Sequence, residues 1–147
     1  MTSNFKLDIS CVERDEDRSD FLSACSQLDL RAIRHLIDVK GVDVSAAIDQ
    51  IGQNCVFFVV CSAEHDVQRK VQLLGYLISV GADVNAQRTT DGWTPLFLAT
   101  IFGESRLLVT LLQNGAKVAV KDHEGLNAED WADRYRLDHV KNLLVHR

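Results

Sequence analysis

No stretch of the 147 residues approaches the roughly 20 consecutive apolar positions that cross a bilayer as a helix. The start Met1-Thr2-Ser3-Asn4 carries neither the basic nor the apolar segment of a secretory signal. A soluble, intracellular protein with no membrane role is therefore expected. Positive charge is not in excess either: 16 Lys and Arg stand against 21 Asp and Glu, a net charge of −5, which leaves no sequence-wide basic surface to neutralise a phosphate backbone. Nucleic acid is not an expected partner. The four cysteines, Cys11, Cys25, Cys55 and Cys61, include no CxxC pair, and Cys55 and Cys61 lie in an apolar run, which fits buried thiols in a reducing compartment, cytoplasm or nucleus.

Catalytic patterns are missing as well. No glycine-rich phosphate loop follows a strand, neither H-E-x-x-H nor G-x-S-x-G occurs, and His35, His65, His123, His139 and His146 are dispersed. The expectation is no enzyme, no cofactor and no small-molecule substrate. Cys55, Cys61 and His65 are of metal-ligand type, but their spacing matches no zinc knuckle or finger, so no metal is expected. A zinc-dependent or enzymatic role in this segment is the remote alternative.

What the chain does contain is repetition. With 46% hydrophobic and 25% charged residues it has room for one compact domain. A turn element recurs as Gly41-Val42-Asp43-Val44-Ser45, Gly81-Ala82-Asp83-Val84-Asn85 and Gly115-Ala116-Lys117-Val118-Ala119, at spacings of 40 and 34. An apolar triplet at i, i+3 and i+4 marks one helical stripe per unit: Ile33-Leu36-Ile37, Leu74-Leu77-Ile78, Leu108-Leu111-Leu112 and Val140-Leu143-Leu144. A glycine opens the following helix at Gly52, Gly92 and Gly125, the last two 33 apart.

The segment Asp91-Gly92-Trp93-Thr94-Pro95-Leu96-Phe97-Leu98-Ala99 resembles the ankyrin signature T-P-L-H-x-A, with Phe97 where that pattern has histidine. The resemblance implies an all-α ankyrin-repeat solenoid of about four helix-turn-helix repeats joined by β-hairpin-like fingers. It covers residues 18–147, divided at about 18–49, 50–88, 89–120 and 121–147, after a polar leader or cap of 1–17 that ends in Glu13-Arg14-Asp15-Glu16-Asp17.

The repeats fit unequally. In the third, Thr94 caps the first helix, Pro95 occupies its first turn and Gly103 makes the turn between helices. In the first, Leu28 stands near the position of that glycine, so its turn is expected to be strained. The second holds six extra residues between its helices, around 62–70, and its bulky, β-branched Asn54-Cys55-Val56-Phe57-Phe58-Val59-Val60 favours a distorted or shortened helix. In the fourth, Asp133, Arg134, Arg136, Asp138 and Lys141 can face water as a terminal cap requires.

The resemblance further implies that fingers and inner helices line a concave face that binds a protein partner. Carried onto repeat three, the family positions place Thr90, Asp91 and Trp93 at the finger and helix entry, with Ile101 and Phe102 ending the inner helix. Trp93, Ile101 and Phe102 then form an apolar patch of interface type. Gln87 and Arg88 on one side, and His123 and Glu124 of the finger Lys121-Asp122-His123-Glu124 on the other, give it a polar rim. Tyr135 extends the surface, whereas Trp131 falls on a buried position. The repeat-two insertion, at His65, Asp66 and Arg69, is a second candidate contact. Asn85 resembles a site of asparagine hydroxylation in ankyrin proteins, although its ordinary role is to hydrogen-bond within the turn. In size and repeat number the chain resembles the small ankyrin inhibitors of cyclin-dependent kinases. A stand-alone inhibitor, adaptor or regulatory subunit of a protein kinase or cell-cycle complex is the specific expectation, with an adaptor masking a transcription factor or scaffold as the alternative.

Overall fold

The computed structural model describes the backbone of residues 9–145 and the side chains of residues 15–145. The expectations for Met1–Asn4 and for the Cys11, Glu13 and Arg14 side chains lie outside the described residues. Eight helices follow one another: α1 (Ile9–Ser26), α2 (Leu30–Asp38), α3 (Cys55–Val60), α4 (Val67–Ser79), α5 (Pro95–Phe102), α6 (Ser105–Gln113), α7 (Ala128–Arg134) and α8 (Asp138–Val145). Helix α1 begins upstream of residue 18 and takes in the acidic run to Asp17; from Ile9 to Ser26 the sequence has no glycine or proline to stop it.

Successive helices form hairpins. The first members, α1, α3, α5 and α7, pack side by side as an inner layer, and α4, α6 and α8 pack as an outer one. The apolar stripes meet between the layers, where Ile33, Leu74, Leu77, Leu108, Leu111, Val140 and Leu144 are fully buried. The tight turn inside a hairpin needs a left-handed residue. Gly103 supplies it without strain at φ 68, whereas Leu28 (φ 53) and Arg136 (φ 54) adopt it with a Cβ, at about 1–2 kcal/mol each. Leu28 is held there by its side chain, which is only 3% exposed in the core.

Helix starts are solved differently from repeat to repeat. The Asn54 side chain accepts from the Val56 amide, and Asn127 forms a reciprocal capping box with Asp130. Thr94 occupies the same position before α5, but its hydroxyl makes no capping bond, and the buried oxygen has no hydrogen-bond partner. This corrects the expectation from sequence. Phe97, fully buried three residues on, has no polar atom to offer that oxygen where the signature has histidine.

The fingers are hydrogen-bonded turns rather than extended hairpins: among the described residues the isolated antiparallel bridge is Ile48 with Asn54. Each finger closes on two backbone bonds: Asp49 N to Gln53 O (2.9 Å) with Gly52 N to Asp49 O (3.2 Å), Arg88 N to Trp93 O (3.0 Å) with Gly92 N to Arg88 O (2.9 Å), and Asp122 N to Leu126 O (2.9 Å) with Gly125 N to Asp122 O (3.0 Å). The turns are also stitched from repeat to repeat. Asn85 donates to Gly115 O (3.1 Å) and accepts from Lys117 N (2.9 Å), so both ends of its amide serve the next turn.

In repeat two α3 is a six-residue helix. The insertion after it is anchored: Ser62 Oγ donates to Ser26 O (2.5 Å), and the buried Lys70 ammonium donates to Ser62 O (2.8 Å). Outer-layer packing lapses here, since α2 and α4 scarcely touch whereas α4 with α6 and α6 with α8 pack along their lengths.

Candidate protein-binding face

The inner face of repeats three and four is organised by one carboxylate. Asp122 lies in the last finger and is only 7% exposed. Its Oδ1 accepts from the amides of Glu124 and Leu126, each at 2.9 Å, and its Oδ2 accepts from both indole N–H groups, Trp93 at 3.1 Å and Trp131 at 2.7 Å. Burial by itself would raise its pKa, but the backbone and indole N–H donors outweigh that and hold the carboxyl below its ordinary range. A buried anion is thus stabilised by N–H dipoles, with no ion pair to Asp122 among the described residues.

Fixed at their nitrogens, the two indoles pack together. Trp93 stacks on Phe97 at 5.9 Å between centroids, meets Trp131 edge-on at 5.1 Å, and Trp131 stacks on Tyr135 at 5.8 Å. Guanidinium groups lie against this row, Arg88 at 5.4 Å from the Trp93 ring and Arg134 at 4.8 Å from Trp131. Phe97 is buried beneath and Tyr135 stands at the outer end, 55% exposed.

The polar residues expected as a rim are largely engaged with one another. The finger of repeat three is one residue longer than its neighbours, and Arg88 compensates by a bidentate bond to Asp91, Nε–Oδ1 2.9 Å and Nη2–Oδ2 2.7 Å, while Asp91 also accepts from Trp93 N. The pairing raises the Arg88 pKa and lowers that of Asp91. Gln87 donates to Gly92 O (2.9 Å) and Lys121 O (3.2 Å), which ties two fingers together. Glu124 pairs loosely with Arg134 at 3.4 Å. Thr90 and His123 are exposed. His123 also lies against Gly92, where a Cβ would come within 2.7 Å of its ring, and the backbone φ of 79° there already favours glycine.

The apolar candidates separate into two kinds. Trp93 is half-buried with its N–H committed, so it is part of the base of the face, and Ile101 is half-buried at the end of α5. Phe102 is 51% exposed and, with Tyr135, is one of the large apolar side chains that inner helices leave in solvent. They occupy corresponding places, each just before a left-handed turn residue, Gly103 or Arg136. Trp131 is buried, as its position implied.

Asp122 is the residue that sequence reasoning misses, because in the sequence it is one charge in a polar finger. Its available signal was a three-residue offset before Gly125, the same offset as Asp49 before Gly52, where Asp49 likewise caps the Ile51 and Gln53 amides. The insertion residues His65, Asp66 and Arg69 are exposed and lie away from this face in the contacts they make: Asp66 caps α4 through Arg69 N (3.0 Å). Cys55, Cys61 and His65 are not brought together. Cys55 is fully buried with its free thiol beside that of Cys25, Cys61 is exposed, and among the described residues no three His, Cys, Asp or Glu side chains are grouped to hold a metal ion.

Comparison with known proteins agrees with the geometry. A family model described as ankyrin repeats, in three copies, matches residues 21–122. Palmitoyltransferase AKR1 of Kluyveromyces lactis is 27% identical over 120 residues, 82% of this chain and 15% of that protein. The human transient receptor potential cation channel subfamily A member 1 is 45% identical over 56 residues, 38% of this chain and 5% of the channel. The human Inhibitor of Bruton tyrosine kinase is 26% identical over 128 residues, 75% of this chain and 9% of its own length. The chain therefore spans no more than about a seventh of these three relatives. Among the described residues no helix is long and apolar enough to cross a membrane.

Proposed function

The chain belongs to the ankyrin-repeat family, and from that premise we propose that it holds a protein partner on its inner face, at Phe102 and Tyr135, without catalysing a reaction. Repeats of this family are in general non-catalytic modules for protein–protein interaction. The relatives bear names as different as a transferase, a channel and a kinase inhibitor, so the shared segment by itself fixes no activity.

The observation that carries the reading is two half-exposed aromatic side chains at equivalent places in successive repeats, one of them stacked on a base that Asp122 locks in place. A rigid aromatic anchor loses little conformational entropy on binding, which is the character of interface hot spots. Ile101 and Trp93 form its apolar margin, and Gln87, Arg88, Thr90, Asp91, His123 and Glu124 its polar one. Because Arg88 and Asp91 neutralise each other, the margin excludes water and sets register more than it attracts charge.

As partner class a protein kinase or cell-cycle complex is preferred, with this chain as inhibitor, adaptor or regulatory subunit. One relative, of which this chain matches 9%, is named as a kinase inhibitor. The test is affinity capture from cell extract with mass spectrometry, comparing wild type with Phe102→Ala/Tyr135→Ala. A kinase lost from the variant supports the full reading. A transcription factor or scaffold lost instead keeps the face and replaces the partner class, and partners unchanged between the two remove the face.

A further inference from the structure

Independently of the inner face, we propose a second binding site on the outer layer, in the cleft between α2 and α4, for a peptide segment that presents a carboxylate beside an apolar side chain. The cleft follows from the insertion in repeat two. Elsewhere consecutive outer helices pack directly, but six additional residues precede α4 and hold it off α2, leaving a cleft of about 260 Å³. It is preformed, because Ser62 is bonded to the end of α1 through Ser26 O, and Lys70, in the first turn of α4, is bonded back to Ser62 O.

The lining sets the chemistry. Leu28, Leu30, Leu73 and Tyr76 supply apolar surface, and Arg34 from α2 and Arg69 from α4 supply charge from opposite walls. Arg34 lies 5.4 Å from the centre of the Tyr76 ring and has no carboxylate within ion-pair distance among the described residues. Arg69 pairs loosely with Asp66 Oδ2 at 3.8 Å, while Oδ1 of the same carboxylate caps α4. Asp29 is committed in the same way to the start of α2, through Ala32 N at 3.1 Å. In a chain with five more acidic than basic residues, two arginines thus line an apolar cleft that no acidic side chain lines, and one of them, Arg34, has no ion-pair partner among the described residues. The lining is positive and carries no negative charge, and a guanidinium receives that charge best from a carboxylate. The apolar walls call for an aliphatic or aromatic neighbour on the same segment.

Selection of phage-displayed random dodecapeptides on the wild-type chain tests this. Enriched sequences should pair Asp or Glu with Leu or Phe. They should bind Arg34→Gln/Arg69→Gln at least about tenfold more weakly, lose affinity when the acid is replaced by its amide, and bind Phe102→Ala/Tyr135→Ala as they bind wild type. Both arginines are exposed, and circular dichroism checks that the variant folds. Leu30→Glu, at a position 41% exposed, provides a second variant that places a carboxylate in the cleft and should weaken binding likewise. Failure of the wild type to enrich acidic peptides, or peptides that bind equally well without the arginines, would overturn the proposal.

Discussion

Replacing Asp122 by Asn changes one oxygen to an amide nitrogen and leaves shape and volume nearly unaltered. Oδ1 can still accept from the Glu124 and Leu126 amides, but the position of Oδ2 then holds an NH2 group facing the N–H of Trp93 and Trp131. Two bonds to an ionised acceptor are lost and the Trp131 donor, on a buried side chain, is left unsatisfied. At about 1.5–3 kcal/mol for a hydrogen bond to a charged group, with the half-exposed Trp93 at the low end, the expected loss is about 3–4.5 kcal/mol. For a chain of this size that lowers the thermal midpoint by about 10 °C. Urea unfolding followed by tryptophan fluorescence reads it directly, because both tryptophans of the chain are bonded to this carboxylate. The pH dependence follows from the lowered pKa. With the folded value below the unfolded one, the contribution is complete above the ordinary carboxylate range and is lost as pH falls through the folded value. Wild type should therefore lose stability on acidification more steeply than Asp122→Asn, and the two should converge at low pH. A variant within about 0.5 kcal/mol of wild type at neutral pH would refute the role given to Asp122.

Trp93→Ala should cost about 3 kcal/mol, since it removes an aromatic packed between Phe97 and Trp131 together with its bond to Asp122; denaturant unfolding will show whether the residue belongs to the base of the face. Thr94→Val removes a buried hydroxyl that has no partner, so the thermal midpoint should stay level or rise by up to about 1 kcal/mol in equivalent stability, and a drop would mean that the hydroxyl caps α5 after all. Arg136→Gly should stabilise by several tenths to about 1 kcal/mol, because glycine relieves the left-handed φ of an exposed residue and gives back part of that gain in unfolded-state entropy; calorimetry checks the sign.

The repeat architecture was legible because it depends on local signals. Each apolar triplet needs only its own helix to form a stripe, and each turn glycine only its own backbone, so the period survives in one dimension. The insertion was legible for the same reason, as a count between Gly52 and Gly81. Trp93 shows where such reading stops. Sequence alone places it in an apolar patch at the helix entry, and here it is half-covered because Trp131, from the next repeat, lies edge-on against it. The Asp122 bond to Trp93 likewise joins residues 29 apart that no spacing rule connects. A change of composition at Asp17 marks no helix end, because a helix continues through charged residues as long as nothing breaks it, and α1 does so from Ile9. The splaying of α2 from α4 was beyond sequence because loop length fixes neither the direction of an insertion nor the anchors, Ser26 and Lys70, that set it.

Whether Phe102 and Tyr135 serve an interface or the core is decided by titrating the captured partner into the Phe102→Ala/Tyr135→Ala chain while the thermal midpoint is measured on the same sample. Affinity should weaken by about tenfold or more while the midpoint falls by no more than about 4 °C, since both rings are half in solvent. Unchanged affinity, or a loss of affinity that only tracks unfolding, would contradict the interface role.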